Sequence, residues 1–133
     1  MLVRKTNQIV PIEIDGVTFC FRPLSMGEKT ELMGELEKDK STGALLQWTK
    51  AVVCRSLRDV RGLTNEDGSE YRPTFDGDRM STEAMDDLMN LPISEKIMLV
   101  GGLFIKGVPA DGQLIHPQTN KPIDGIIVKK SHT

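Results

Sequence analysis

The chain reads as an α+β protein. An N-terminal β-hairpin packs on a small bundle of about four helices, and an irregular Pro/Gly-rich C-terminal tail follows. Three observations predict this. Residues 10–21 alternate apolar and polar side chains around Asp15-Gly16. Residues 26–104 carry apolar positions at helical spacing in successive blocks. After Gly107 that spacing stops, and Pro109, Pro117 and Pro122 appear with Asp111-Gly112 and Asp124-Gly125. Residues 1–107 are therefore expected to form the α+β unit. Residues 108–133 are expected to form an extended or partly mobile tail.

The hairpin is the clearest element. Asp15-Gly16 suits a two-residue type I′ turn, whose central residues both need positive φ. Folding there sets Ile14 opposite Val17, Ile12 opposite Phe19 and Val10 opposite Phe21, all six on one side of the pleat. Pro11 predicts that the first strand is an edge. Cys20 falls on the other side and is expected half exposed. A lone hairpin is barely stable, so its apolar side must cover helices.

Arg22-Pro23-Leu24 ends the second strand, and Ser25-Met26-Gly27-Glu28 fits a capping box. A first helix is expected from Met26 to about Asp39, charged on most sides. Ser41-Thr42-Gly43 offers a new N-cap. The second helix is expected from about Ala44 to Val60, with Leu45, Trp48, Val52, Val53, Leu57 and Val60 as its core stripe. Trp48 would be the largest apolar group at the centre of the fold. Arg55, Arg58 and Arg61 would load the end of that helix with positive charge. Leu63-Thr64 and Glu70-Tyr71-Arg72 suit a short hairpin across Asp67-Gly68. A third helix starts at Ser81-Thr82-Glu83 and ends at Pro92. A fourth starts at Ile93-Ser94-Glu95-Lys96. The fourth is apolar around much of its circumference, so it is expected to be buried or covered by a partner. Gly101-Gly102 either permits a close helix crossing or ends that helix early.

Composition excludes several functions. The chain of 133 residues carries 17 basic and 19 acidic residues, a formal net charge of −2. That balance argues against a dedicated nucleic-acid binder. No apolar run approaches the roughly 20 residues that span a bilayer, and the N-terminus lacks the apolar core of a signal peptide. Cys20 and Cys54 are isolated, with no Cys-x-x-Cys pair. The expectation is a reduced, cytoplasmic protein with neither nucleic acid nor membrane as partner.

Candidate chemistry is thin. His116 and His132 have no second ligand at zinc spacing. Asp76-Gly77-Asp78 begins like a calcium loop, but Met80 stands where a ligand is needed. No Gly-rich phosphate loop is present. Cys54 has no His partner nearby in sequence and reads as an inert buried thiol. No catalytic residue, metal or cofactor is expected. The Arg55, Arg58, Arg61 series reads better as arginines paired to the acidic first helix than as a nucleic-acid contact.

Contact with other chains is what remains. Seven methionines outnumber the six aromatic residues. Methionine is flexible and polarisable, which suits a tolerant contact surface. Met33, Leu36, Met85, Met89 and Phe104 are the expected partner-binding residues, forming stripes of the kind that seat a helix in a groove. Self-association into an oligomer is a second use for such a surface.

The run Phe19-Cys20-Phe21-Arg22-Pro23-Leu24-Ser25-Met26-Gly27-Glu28 follows an Asp-Gly hairpin and precedes the helical blocks. In this order of elements, from about Ile12 to Lys106, the chain resembles the tail assembly chaperones of long-tailed bacteriophages. The resemblance implies a non-enzymatic protein that binds the tape measure protein during tail morphogenesis, in the cytoplasm of the infected bacterial host. It implies no catalytic residue, and it assigns Phe21, Arg22, Pro23 and Leu24 to the fold. The alternative is a structural virion component, such as a baseplate, neck or tail-completion protein, whose tail adds a strand to a neighbour's sheet. A regulator of a host protein and a small enzyme stand behind these two.

Overall fold

The computed structural model describes residues 9–38, 41–116 and 118–129. The expected hairpin is present. Strands β1 (Val10–Ile14) and β2 (Val17–Phe21) pair with Val10 opposite Phe21, Ile12 opposite Phe19 and Ile14 opposite Val17. Asp15 and Gly16 both take positive φ, at 48° and 87°, as the type I′ turn requires.

The mixed α+β class holds, but the sheet is larger than a hairpin. Helix α1 (Met26–Lys38) and helix α2 (Thr42–Ser56) follow β2, and α2 runs straight into strand β3 (Leu57–Arg61). A two-residue ribbon, β4 (Phe75–Asp76) with β5 (Arg79–Met80), precedes helices α3 (Thr82–Met89) and α4 (Ser94–Leu103). Strands β6 (Gly112–Ile115) and β7 (Pro122–Val128) complete a five-stranded sheet in the order β3-β2-β1-β7-β6. Every pair in it is antiparallel.

Several expectations need correction. The tail forms strands at Gly112–Ile115 and Pro122–Val128 that join the main sheet, so the chain does not divide after residue 107. Ile126 and Val128 turn inward on β7 and are buried, and Leu114 does the same on β6. Pro122 stands at the first position of its strand, where a missing N–H is tolerated. Pro117 and residues 130–133 lie outside the described residues. Secondly, Pro11 is not on an edge, because β1 bonds β2 on one side and β7 on the other. The Lys129 N–H donates to the Pro11 carbonyl, one step past the last registered pair, so the proline sits where the ladder ends. Thirdly, residues 57–60 are strand and not helix. Val53, Leu57 and Val60 fit a helical stripe, but Leu57 turns extended at φ −80°, ψ 127° and its N–H closes the helix on Val53 O. Fourthly, Cys20 is buried, covered between Pro11 of β1 and Asp59 of β3.

The core lies between the sheet and the helices. Val10, Ile12, Ile14, Phe19, Phe21, Leu57 and Val60 meet Val53 of α2, Leu88 of α3 and Ile97, Val100 and Phe104 near α4. Phe21 and Phe104 stack with centroids 5.0 Å apart. Leu24, Leu32 and Val52 form a second, smaller cluster under α1. Trp48 belongs to that cluster, half buried, and not to the centre as expected. Its indole N–H donates to Leu32 O at 2.6 Å, which anchors α1 on α2.

Gly101 answers the question raised by the glycine pair. Helix α4 continues through it, and α4 crosses α2 at this point. A methyl group added at Gly101 would run into the Val53 γ-methyl. Gly101→Ala is therefore expected to destabilise the fold by about 1–3 kcal/mol in urea denaturation. Combining it with Val53→Ala should cost less than the two single losses added together. A chain ended at Gly107 loses Leu114, Ile126 and Val128 from the core. It should unfold without a cooperative transition by near-ultraviolet circular dichroism. A sharp transition at an unchanged midpoint would show that the two last strands contribute nothing.

Candidate interaction surface

The residues with chemical potential are mostly occupied with structure. Burial raises the pKa of Cys20 and of Cys54. A thiol held protonated is a poor nucleophile, and Cys54 donates its S–H to Met80 O at 3.1 Å. His116 Nδ1 accepts from the backbone N–H of Gln118 at 3.1 Å, within the β6–β7 connection. His132 lies outside the described residues. Among the described residues no three acidic, His or Cys side chains converge as a metal-ligand set. None of the described helices is long and apolar enough to cross a membrane.

The arginines do not form one helical stripe, because the helix ends before Arg58. Each has its own destination. Arg55, on α2, is buried and forks onto Glu31 of α1 at 2.8 and 3.2 Å. Arg58, at the β3 irregularity, lies 4.5 Å from the centroid of the Phe75 ring and donates to Asp78 O. Arg61 pairs with Asp59 at 3.2 Å. Arg22, just past β2, forks onto Glu28 at 2.7 and 2.8 Å.

Glu28 thus does two jobs. It completes the capping box: the Ser25 N–H donates to Glu28 Oε1, and the Glu28 N–H donates to Ser25 Oγ. It also receives Arg22. Glu28 and Glu31 are three residues apart, so they share one side of α1. Two arginines from the ends of β2 and α2 therefore clamp that side. The opposite side of α1 is left outward.

Both α1 and α2 expose apolar side chains. Met26 is 76% exposed, and Met33, Leu45 and Leu46 are each nearly half exposed. Of the five expected contact residues, Met33 is exposed here and Leu36 is half buried beside it on the same helix. Met85 and Phe104 are corrected: they are core residues, at 7% and 1% exposure. Met89 is half buried against the same core. The apolar stripe of α3, Ala84, Met85 and Leu88, packs into the core with the sheet residues. The five therefore do not form one surface. Leu45 and Leu46 were not among them, yet their signal was present: neighbours on a helix point about 100° apart, so both cannot face one core.

Two open grooves adjoin the core. One of about 400 Å³ lies between the end of α4 and β6, with Leu103, Val108, Pro109 and Leu114 among its walls. The other, about 370 Å³, lies between the 63–71 segment and α3. That segment forms the short hairpin expected there: Thr64 and Glu70 make an antiparallel bridge, the Tyr71 N–H donates to Leu63 O and the Asn65 N–H donates to Ser69 O. Burial, with the Asp87 carboxylate close by, pushes the Tyr71 phenol up to about 12. It stays protonated and donates to Asp87 Oδ2 at 3.2 Å.

The clamp on α1 has a pH signature. Hydrogen bonds from Arg22 hold the Glu28 carboxyl down at about 2, against an ordinary 4.5. A depressed folded-state pKa adds stability above 4.5 that is lost as pH falls towards 2. Glu28→Gln should cost on the order of 2–3 kcal/mol at pH 7, with the deficit shrinking between pH 4.5 and 2. Equal deficits at pH 7 and pH 2.5 in chemical denaturation would show that charge plays no part. No family model, no curated protein and no solved structure matches this chain.

Proposed function

We propose that this chain is a tail assembly chaperone of a long-tailed phage. It binds the tape measure protein without catalysis, in the cytoplasm of the infected host, before the tail tube forms. The observation that carries the reading is the exposure of Met26 and Met33 on α1 and of Leu45 and Leu46 on α2. A chaperone for a long helical protein needs many weak, sequence-tolerant contacts. Flexible methionine and leucine side chains supply them. Several copies along one client would add avidity through effective concentration. The resemblance of the Phe21-Arg22-Pro23-Leu24 step and its Glu-bearing helix supports the same reading.

The sheet edge favours a second reading, a structural virion component. Strand β6 ends the sheet and exposes Ile115. An open edge accepts a strand from a neighbour. Proteomics of purified particles separates the two: a chaperone is scarce there, and a structural component is stoichiometric.

The direct test is co-expression with a tape measure protein. The chain should keep that client soluble and co-purify with it. Met33→Asp combined with Leu45→Asp should lose the client by about tenfold, an effect of roughly 1.4 kcal/mol, while helical circular dichroism is unchanged. Full retention of the client by the folded double variant would exclude this surface.

A further inference from the structure

Charge is unevenly spread along the chain. Residues 62–91 hold eight carboxylates and two arginines, Arg72 and Arg79, a formal charge of −6. The whole chain carries −2, so the remainder carries +4. Both arginines are engaged within the segment, Arg72 with Glu70 and Arg79 with Asp78. Arg58 of β3 adds one cation from outside the segment, against Phe75 and Asp78 O.

The 370 Å³ groove opens within this segment. Leu63, Tyr71 and Leu91 give it an apolar floor, each half buried against the core. Glu66 and Asp87 stand on its walls, and neither is ion-paired to a described residue. The side-chain amides of Asn65 and Asn90 also line it. An apolar floor beside two carboxylates without a cationic partner, Asp87 being bonded only by the Tyr71 hydroxyl, matches one kind of side chain: a long aliphatic stem ending in a cation. The stem lies on leucine and the tyrosine ring, and the cation reaches the carboxylates.

We propose that this groove seats an arginine or lysine of a basic, amphipathic segment of a partner protein. The groove shares no residue with the α1–α2 surface, so the inference stands apart from the identity of the tail client. The acid surface steers the segment in, and the floor selects a stem over a free small cation.

The test titrates the full chain by NMR with two synthetic peptides. One is an amphipathic leucine–alanine helix with arginines along its polar flank. The other replaces each arginine with uncharged citrulline. The arginine peptide should shift the signals of Leu63, Asn65, Tyr71 and Asn90, and the citrulline peptide should bind about fivefold to tenfold more weakly. Glu66→Gln with Asp87→Asn should weaken the arginine peptide by a similar factor, whereas Glu83→Gln with Asp86→Asn, outside the groove, should change it less than about twofold. Glu66→Gln alone carries the test if the Asp87 change disturbs Tyr71. Three results would overturn the proposal. One is equal affinity for both peptides. A second is equal loss from the two carboxylate pairs, which means a diffuse acidic surface. The third is no groove shift at millimolar peptide.

Discussion

Strand β1 is bonded on both sides, to β2 by a tight turn and to β7 from the far end of the chain. Its inward residues Val10, Ile12 and Ile14 are wholly buried. Every other layer takes its position from this strand. The β2 partner carries Phe21, which stacks on Phe104 and so seats the end of α4. The β7 partner brings Ile126 and Val128 under the helices. A second constraint ties the hairpin turn to both. Lys96 of α4 donates to the two Asp15 carboxylate oxygens at 2.9 Å and to Asp124 O at 3.2 Å. The Asp15 N–H in turn donates to Gly125 O. One lysine thus joins the turn, a helix and the last strand.

The helical layer uses a different chemistry. Helices α2, α3 and α4 are held on the sheet by apolar burial, with Gly101 allowing α4 to approach Val53. Helix α1 has little apolar surface to bury. Its attachment relies on Leu24, Leu32 and Val52, one indole hydrogen bond and two arginine forks. Such a helix keeps its outer side free of core duties. Side chains there can be flexible without loosening the fold, because the polar clamp sits on the other side.

Much of this was legible in the residues. The β1–β2 register followed from alternation plus Asp15-Gly16, two independent signals that agree. The capping box at Ser25 and Glu28 followed from spacing alone. What escaped notice has physical causes. Leu57 and Val60 stand at positions that serve a helix after Val53 equally well, and short apolar runs do not separate helix from strand. Strands β6 and β7 were hidden by proline and glycine, because composition does not show that a distant β1 offers an open edge. Pro11 was misplaced for the same reason. For the contact surface, periodicity told which side of α3 is apolar. It does not tell that the core covers that side, where Met85 is buried. Met33 is exposed and Leu36 half buried on α1, a helix with few apolar positions.

The pairing of β1 with β7 has a consequence for how the protein is made. Ile14 and Ile126 are partners although 112 residues separate them in sequence. At a synthesis rate of roughly 5–20 residues per second, that gap lasts on the order of 6–20 s. Throughout it, the outer edge of β1 has left the ribosome without its mate. An apolar strand with an unfilled edge is a template for the wrong neighbour. The β1–β2 hairpin can close at once, but the sheet cannot close until Val128 has been made. Long-range pairing of this kind slows folding. The step that completes the molecule is therefore set by the ribosome's pace as much as by the chain's own physics.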